Sequence, residues 1–263
     1  MSHTDRESFW EKRRQQLFII RELTAREIKR RYARSYLGII WSVLNPLLNM
    51  IVMSLIFSYM FSKNIDNFPV YYLVGTTLWT LFKTATETSM TALVDNKQLL
   101  IKAKLPKYTF VISRIYTSLV NFLYTLIPLI AILIFFKVRI TWKAVLFLPD
   151  LLLVLLFSIG MGLIMSIIYV YFADVKYLYE IFLTIWMYLS AIFYPAECLP
   201  EMMQQVISYN PLFLAIDIAR YTMIYNTLPY YTEWIKLGAF SLVVFGLGIL
   251  IFRKYENKIM EKV

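Results

Sequence analysis

Lys83, Glu87 and Arg114 are charges placed inside long apolar runs of this sequence. A charge near the centre of a bilayer costs about 2.5–3.5 kcal/mol on insertion scales, so each needs a partner or a task. Glu87 stands seven residues before Val94, and Arg114 stands seven residues after Lys107. If the two segments are antiparallel neighbours crossing a membrane, these residues share a depth. The spacing therefore predicts a Glu87–Arg114 ion pair between helices, with Lys83 one turn above. Such a pair either orients two helices or takes part in gating or conduction. Buried pairs are weak evidence of function, which favours orientation.

No other constellation carries chemistry. The one histidine is His3, in a charged terminus, and the one cysteine is Cys198. No internal disulfide is available, and no His/Cys/Asp cluster has metal-ligand spacing. Neither G-x-S-x-G nor a Cys–His pair is present. None of the seven glycines falls in G-x-x-x-x-G-K-[ST], so this chain is not expected to cradle ATP phosphates itself. Gly160-x-Gly162 and Gly246-x-Gly248 lie in apolar runs and read as packing features. The expectation is a non-enzyme with no catalytic, cofactor or metal residue of its own.

The elements that hold the three charges follow from composition. The chain has 263 residues, 59% of them hydrophobic, against about 45–50% in a soluble domain. Six segments are long enough to cross a core of about 30 Å: residues 37–61, 70–94, 108–136, 145–172, 177–194 and 235–252. The expected fold is all-α, a polytopic membrane protein with one six-helix domain over 37–263. Residues 1–36 form a cytoplasmic amphipathic region, and no cleavable signal peptide opens the chain. A loop at 95–107, an outer connector at 195–234 and a tail at 253–263 complete it.

The net charge of +10 does not point to nucleic acid. Nineteen Lys/Arg fall on the side of the termini and six on the other, which places both termini in the cytoplasm. KVRITWK at 137–143 runs against that bias locally. Leu17, Ile20, Leu23, Ala25 and Ile28 suit one apolar stripe on a basic helix lying in the membrane surface; a solvated basic arm has the same composition. Thr24-x-x-Glu27 matches a capping box and predicts a helix restart there. Ser158, Gly162 and Ser166, beside Gly160, predict close helix packing. Pro211–Tyr225 is too short and too polar to span, and reads as a re-entrant or interfacial helix.

Several stretches together resemble a known family. RYARSYLGIIWSVLNPLL at 31–48 is similar to the entry of the first span in permease subunits of type-2 ABC exporters of O-antigen, teichoic acid and related polysaccharides, at Arg31, Tyr32, Ser35, Leu37, Gly38, Trp41 and Pro46. Gly75, Trp79 and Phe82 with the Thr/Ser-rich helix after them, Asn96, Leu100, Ile101, Lys102 and Pro106 in DNKQLLIKAKLPK, YFADVKYLYEIF at 171–182, and Asn210-Pro211 with Arg220 continue the likeness. Lys83 departs from it, since a small polar residue is usual there, and no second proline stands a few residues after Pro106, where the chain reads KYTFVI.

The resemblance implies a bacterial cytoplasmic-membrane permease, a homodimer joined to two copies of an ABC ATPase subunit that binds ATP and Mg. It implies export of a lipid-linked polysaccharide. The 95–107 loop would hold an ATPase-coupling helix with Asn96, Leu99, Leu100, Ile101, Lys102, Ala103 and Pro106. Arg31, Tyr32, Ser35 and Gly38 would form the interface helix and gate. Spans one and five would line the conduit with Trp41, Asn45, Tyr59, Tyr179, Phe182, Trp186 and Phe193, an aromatic lane for sugar rings; ordinary packing and an interfacial belt explain the same residues. A drug, haem or lipid exporter of this fold is the nearest alternative. A channel or secondary carrier would show inverted repeats, and an intramembrane transferase would show buried acids or histidines.

Overall fold

The computed structural model describes residues 3–33, 36–61, 65–102 and 105–259, with residues 3–13 described by their backbone only. Every regular element among them is helical: α1 (His3–Tyr32), α2 (Trp41–Phe57), α3 (Phe68–Asp95), α4 (Lys97–Lys102), α5 (Tyr108–Phe135), α6 (Phe147–Tyr171), α7 (Val175–Tyr188), α8 (Glu201–Ile207), α9 (Pro211–Met223) and α10 (Tyr231–Tyr255). Short 3-10 turns precede α2 and α6 and follow α10. Four helical stretches are long and apolar enough to cross a membrane: Gly38–Phe57, Tyr108–Phe135, Trp142–Tyr171 and Tyr231–Lys258. The expected span at 70–94 lies within α3, which is long enough but carries Lys83 and Glu87.

The fifth expected segment, 177–194, is not one helix. α7 stops at Tyr188, and the chain then turns with Ala191 at a φ of +47°. A non-glycine residue rarely adopts that conformation, and it holds only because the turn is tied down from outside. Arg220 of α9 is 2% exposed. It donates to the carbonyls of Ala191 (3.0 Å) and Ile192 (3.2 Å) and lies 3.4 Å over the Tyr71 ring of α3. Tyr71 in turn donates to the Tyr194 carbonyl at 2.9 Å. Asn210 accepts from Leu212 N–H at 3.0 Å, capping α9, while its amide donates to the Leu189 carbonyl at 3.0 Å. In an apolar surrounding a broken helix end must find such partners inside the protein.

α3 is the central element. Its buried side packs on α5 and α6, and α6 packs on α10 at very close range. A Cβ added at Gly160 would stand 2.4 Å from the Val244 carbonyl oxygen, and one at Gly248 would stand 2.5 Å from the Gly160 carbonyl oxygen. The small residues predicted to let helices approach do so here. The capping box does not form. α1 runs unbroken to Tyr32, Thr24 is buried against α5 with its hydroxyl donating to the Ser113 carbonyl at 3.3 Å, and Glu27 pairs with Arg114. A motif at helical spacing caps only where the backbone ends, and here tertiary contacts claim both side chains.

Gly160→Ala is expected to lower the melting temperature of the detergent-solubilised protein, since overpacking costs about 1–3 kcal/mol. Gly246→Ala, where an added Cβ meets nothing within 4 Å, is expected to leave it unchanged. Equal melting curves would contradict the close α6–α10 approach.

Candidate functional site

Between Thr76 and Thr91, the residues of α3 that are not buried are Thr76, Thr80, Lys83, Thr84, Glu87, Thr88 and Thr91. They recur every three or four positions, so they form one face. All are hydroxyl-bearing or charged, and the buried side of the same stretch holds Leu78, Trp79, Leu81, Phe82, Ala85 and Met90. Three of the threonine hydroxyls are anchored to their own helix: Thr76 donates to the Tyr72 carbonyl at 2.9 Å, Thr84 to that of Thr80 at 2.7 Å and Thr88 to that of Thr84 at 2.6 Å, while Thr91 donates to the Asp95 carboxylate at 2.8 Å. Lys83 and Glu87 are 3.8 Å apart along the face, with side chains 45% and 28% exposed. The signal was present in the sequence as threonines at spacing four, 76, 80, 84 and 88. In the sequence it stood only as a Thr/Ser-rich helix within the family resemblance, without a role, because threonine is neither charged nor aromatic.

Three cavities open on this face. The largest, about 650 Å³, lies between α1, α3 and α5, with Glu27, Arg31, Thr88, Arg114 and Asn121 among its walls. A second, about 450 Å³, is walled by α2 residues Asn45 and Asn49, by Thr76, Thr80 and Lys83, and by Met187 of α7 and Phe193 beyond its end. A smaller one of about 150 Å³ joins them, sharing Arg31, Thr84, Ser118 and Asn121 with the first and Asn45, Thr80, Thr84 and Thr125 with the second.

The expected Glu87–Arg114 pair does not form. Arg114 makes a 2.5 Å ion pair with Glu27 of α1 and a 3.1 Å pair with Asp95 at the end of α3. Glu87 pairs with Lys83 instead. Both residues do line the same cleft. Spacing fixes depth along a helix, and the azimuth is set by α1, which brings a carboxylate closer to Arg114 than α3 does.

Short helix α4 follows α3 almost without a break. Asn96 is buried, its amide donating to the Ala92 carbonyl at 2.8 Å and its oxygen accepting from Arg26 at 2.6 Å. Leu100 is 5% exposed and packs with Leu93, Phe110 and Phe252. Leu100 is therefore not a knob offered to a partner, and Asn96 is a joint between α1 and α3. Ile101 is 61% exposed and Lys102 is exposed beside it. Leu99 and Pro106 are half-buried. Ala103 and Ser35 lie outside the described residues.

Among the other expected residues, Tyr32 shares a 2.5 Å hydrogen bond with Ser42 and donates to Asn121 at 3.5 Å, which ties α1 to α2 and α5. Arg31 and Trp41 line the small joining cavity. Gly38 has a φ of +48° at the turn into α2, a conformation that suits glycine. Tyr59 lies beyond the end of α2 and is exposed. The four aromatics expected to share a face of one helix do not form an open lane. Tyr179 is buried, and the Trp186 indole donates to Asn210 at 2.8 Å. Phe193 lies past the end of α7, leaving Phe182 open beside Trp186 at 4.9 Å between rings. The break in α7 and its tether to α9 account for the difference.

The ABC-2 type transporter family profile matches residues 19–224. The chain belongs to that family. It is similar over most of its length to three relatives. The O-antigen export system permease protein RfbA of Myxococcus xanthus is 28% identical over 92% of this chain and 94% of its own. The polysialic acid transport protein KpsM of Escherichia coli is 23% identical over 92% and 95%, respectively. The capsule polysaccharide export inner-membrane protein CtrC of Neisseria meningitidis serogroup A is 21% identical over 98% of each. This ABC-2 family chain thus contains the α4 segment and the polar face of α3 within the matched region.

Arg114→Leu leaves Glu27 and Asp95 without their shared cation, and hydrogen bonds to charged groups contribute about 1.5–3 kcal/mol each. A clear fall in melting temperature is expected, whereas Glu87→Gln, which breaks one partly exposed contact, leaves it nearly unchanged. The reverse order would restore the originally expected pair.

Proposed function

We propose that this chain is the membrane permease subunit of an ATP-driven exporter of a lipid-linked cell-surface polysaccharide in a bacterial cytoplasmic membrane. The observation that carries this reading is the end-to-end similarity to relatives named for O-antigen, polysialic acid and capsule export. In this reading six segments span the membrane, with α3 and α7 joining the four apolar stretches. Both termini are cytoplasmic, α1 lies at the inner surface with Leu17 and Phe18 exposed to it, and α8 and α9 re-enter from the outside. A channel, a carrier or an intramembrane transferase fits the family less well.

The energy source is a second polypeptide. ATP and Mg belong to two ABC ATPase subunits, and two copies of this chain form the membrane part. α2 has one buried residue, Met50, and α7 has two, Tyr179 and Leu183. Both helices thus present wide apolar faces for a second copy and for lipid. On the inner side, Ile101 offers an apolar contact to the ATPase while the neighbouring lysines stay wet. Leu100 anchors α4 to α3 and α5, so a push on Ile101 reaches α3 through a packed joint.

The complex of this chain with its ABC ATPase is expected to hydrolyse ATP faster than the ATPase alone. Ile101→Asp is expected to abolish that stimulation while the permease still folds and yields normally. Leu100→Asp is expected to lower the yield of folded protein itself. Full stimulation by Ile101→Asp would exclude α4 as the point of contact.

A further inference from the structure

We propose that the threonine face of α3 is a binding track for the hydroxyl groups of the exported glycan, with Thr80, Thr84 and Thr88 as its central contacts. This rests on the export reading above and adds to it a place in the protein for the sugar.

The chemistry of the face selects the ligand. A helix face turned to lipid is apolar, and one packed on protein is buried; the open stretch Thr76–Thr91 is neither. Polar groups at membrane depth face the bundle interior or a water-filled cavity. Each anchored hydroxyl has spent its one proton on a helix carbonyl, as at Thr76, Thr84 and Thr88. A hydroxyl keeps two acceptor lone pairs, so the face presents a row of acceptors directed away from the helix. A sugar is rich in hydroxyl donors and carries them at short, regular intervals. Threonines one turn apart repeat about every 6 Å along the axis (four residues at 1.5 Å each), so a chain of sugars meets a new acceptor wherever it stops. Individual hydrogen bonds to such neutral groups are worth about 1 kcal/mol, which holds a polymer without trapping it.

The cavities place this row along a route. They share Thr84 and overlap pairwise, from the Arg31–Glu87 cleft at the inner side to Tyr72 and Phe193 at the outer side. Asn45 and Asn49 on α2, Thr125 on α5 and the Lys83–Glu87 pair face into the same space. Carboxylate, amide and ammonium groups are the usual partners of sugar hydroxyls once the rings leave water. The aromatic residues Tyr72 and Phe193, 5.9 Å apart between ring centres and both buried, wall the outer end of the second cavity.

The test uses cells in which the chain's own gene is deleted and the full complex is restored from a plasmid, with the cells' own surface polysaccharide as the probe. Thr80→Val, Thr84→Val and Thr88→Val are combined. Valine keeps the shape and removes the oxygen, so packing against lipid or against a second copy would be kept or improved. The expected result is a fall of surface polysaccharide by about tenfold, the factor that about 1.4 kcal/mol represents, with ATPase activity and yield of the complex unchanged. Combined Thr80→Ser, Thr84→Ser and Thr88→Ser is expected to restore export. Wild-type export by the valine variant would overturn the track. Equal loss in the valine and serine variants, together with loss of the assembled complex, would overturn it too and assign the face to packing. Failure of the unsubstituted chain to restore any polysaccharide would instead overturn the export reading itself.

Discussion

A helix in hydrocarbon can leave a polar group unsatisfied only at a cost of several kcal/mol. α3 bears the unburied polar groups of Thr76–Thr91 in one stripe, while Thr77, Thr86 and Ser89 are buried on its other side and hydrogen-bonded there. The rest of the architecture follows from how that stripe is handled. α5 and α6 cover the apolar side of α3, and Gly162 against Ser89 lets α6 come within contact of its backbone-proximal atoms. The other side stays uncovered between α1, α2 and the end of α7, where three cavities meet it. The charged ends are neutralised locally, Arg114 by Glu27 and Asp95, and Lys83 by Glu87.

The same constraint explains the outer half. α7 breaks after Tyr188, which frees carbonyls at Leu189, Ala191, Ile192 and Tyr194. Arg220, Asn210 and Tyr71 come from two other helices to bind them. The break shortens one helix and, in return, anchors α9 to α3 through a single buried guanidinium. Gly75 is part of that arrangement, since a Cβ there would stand 3.1 Å from the Arg220 guanidinium. α3 thus carries contacts to α9 at one end, through Tyr71 and Arg220, and to α4 at the other, where Leu100 lies in one apolar cluster with Leu93.

Much of this was legible in the sequence. The segments expected at 108–136 and 145–172 correspond to α5 (Tyr108–Phe135) and α6 (Phe147–Tyr171), because long apolar runs bounded by charge or turn residues fix helix length well. Close approach at Gly162, against Ser89 of α3, followed from Ser158, Gly162 and Ser166 at spacing four; Gly160 beside them packs on α10. What failed was rotation and side. Glu87 and Arg114 were expected as a facing pair at one depth; the structure instead pairs Arg114 with Glu27 and Asp95, since an interloping carboxylate from α1 is invisible to spacing within two helices. Leu100 and Ile101 are adjacent and equally apolar, and the family resemblance gave both to a partner; Leu100 turns inward, into one cluster with Phe110 and Phe252. The end of α7 depends on a strained residue and on partners about 20 to 30 positions away in the chain.

The central claim is that the threonine face of α3 meets water inside the membrane part of the working complex. Single cysteines decide it most directly, introduced one at a time as Thr76→Cys, Thr80→Cys, Thr84→Cys, Thr88→Cys, Leu81→Cys and Ala85→Cys in a Cys198→Ser background, because Cys198 is exposed. A small charged thiol reagent added to membranes holding the intact complex should label the four threonine positions quickly and leave positions 81 and 85 untouched. Silence at all four threonine positions, with the complex assembled and active, would contradict the account.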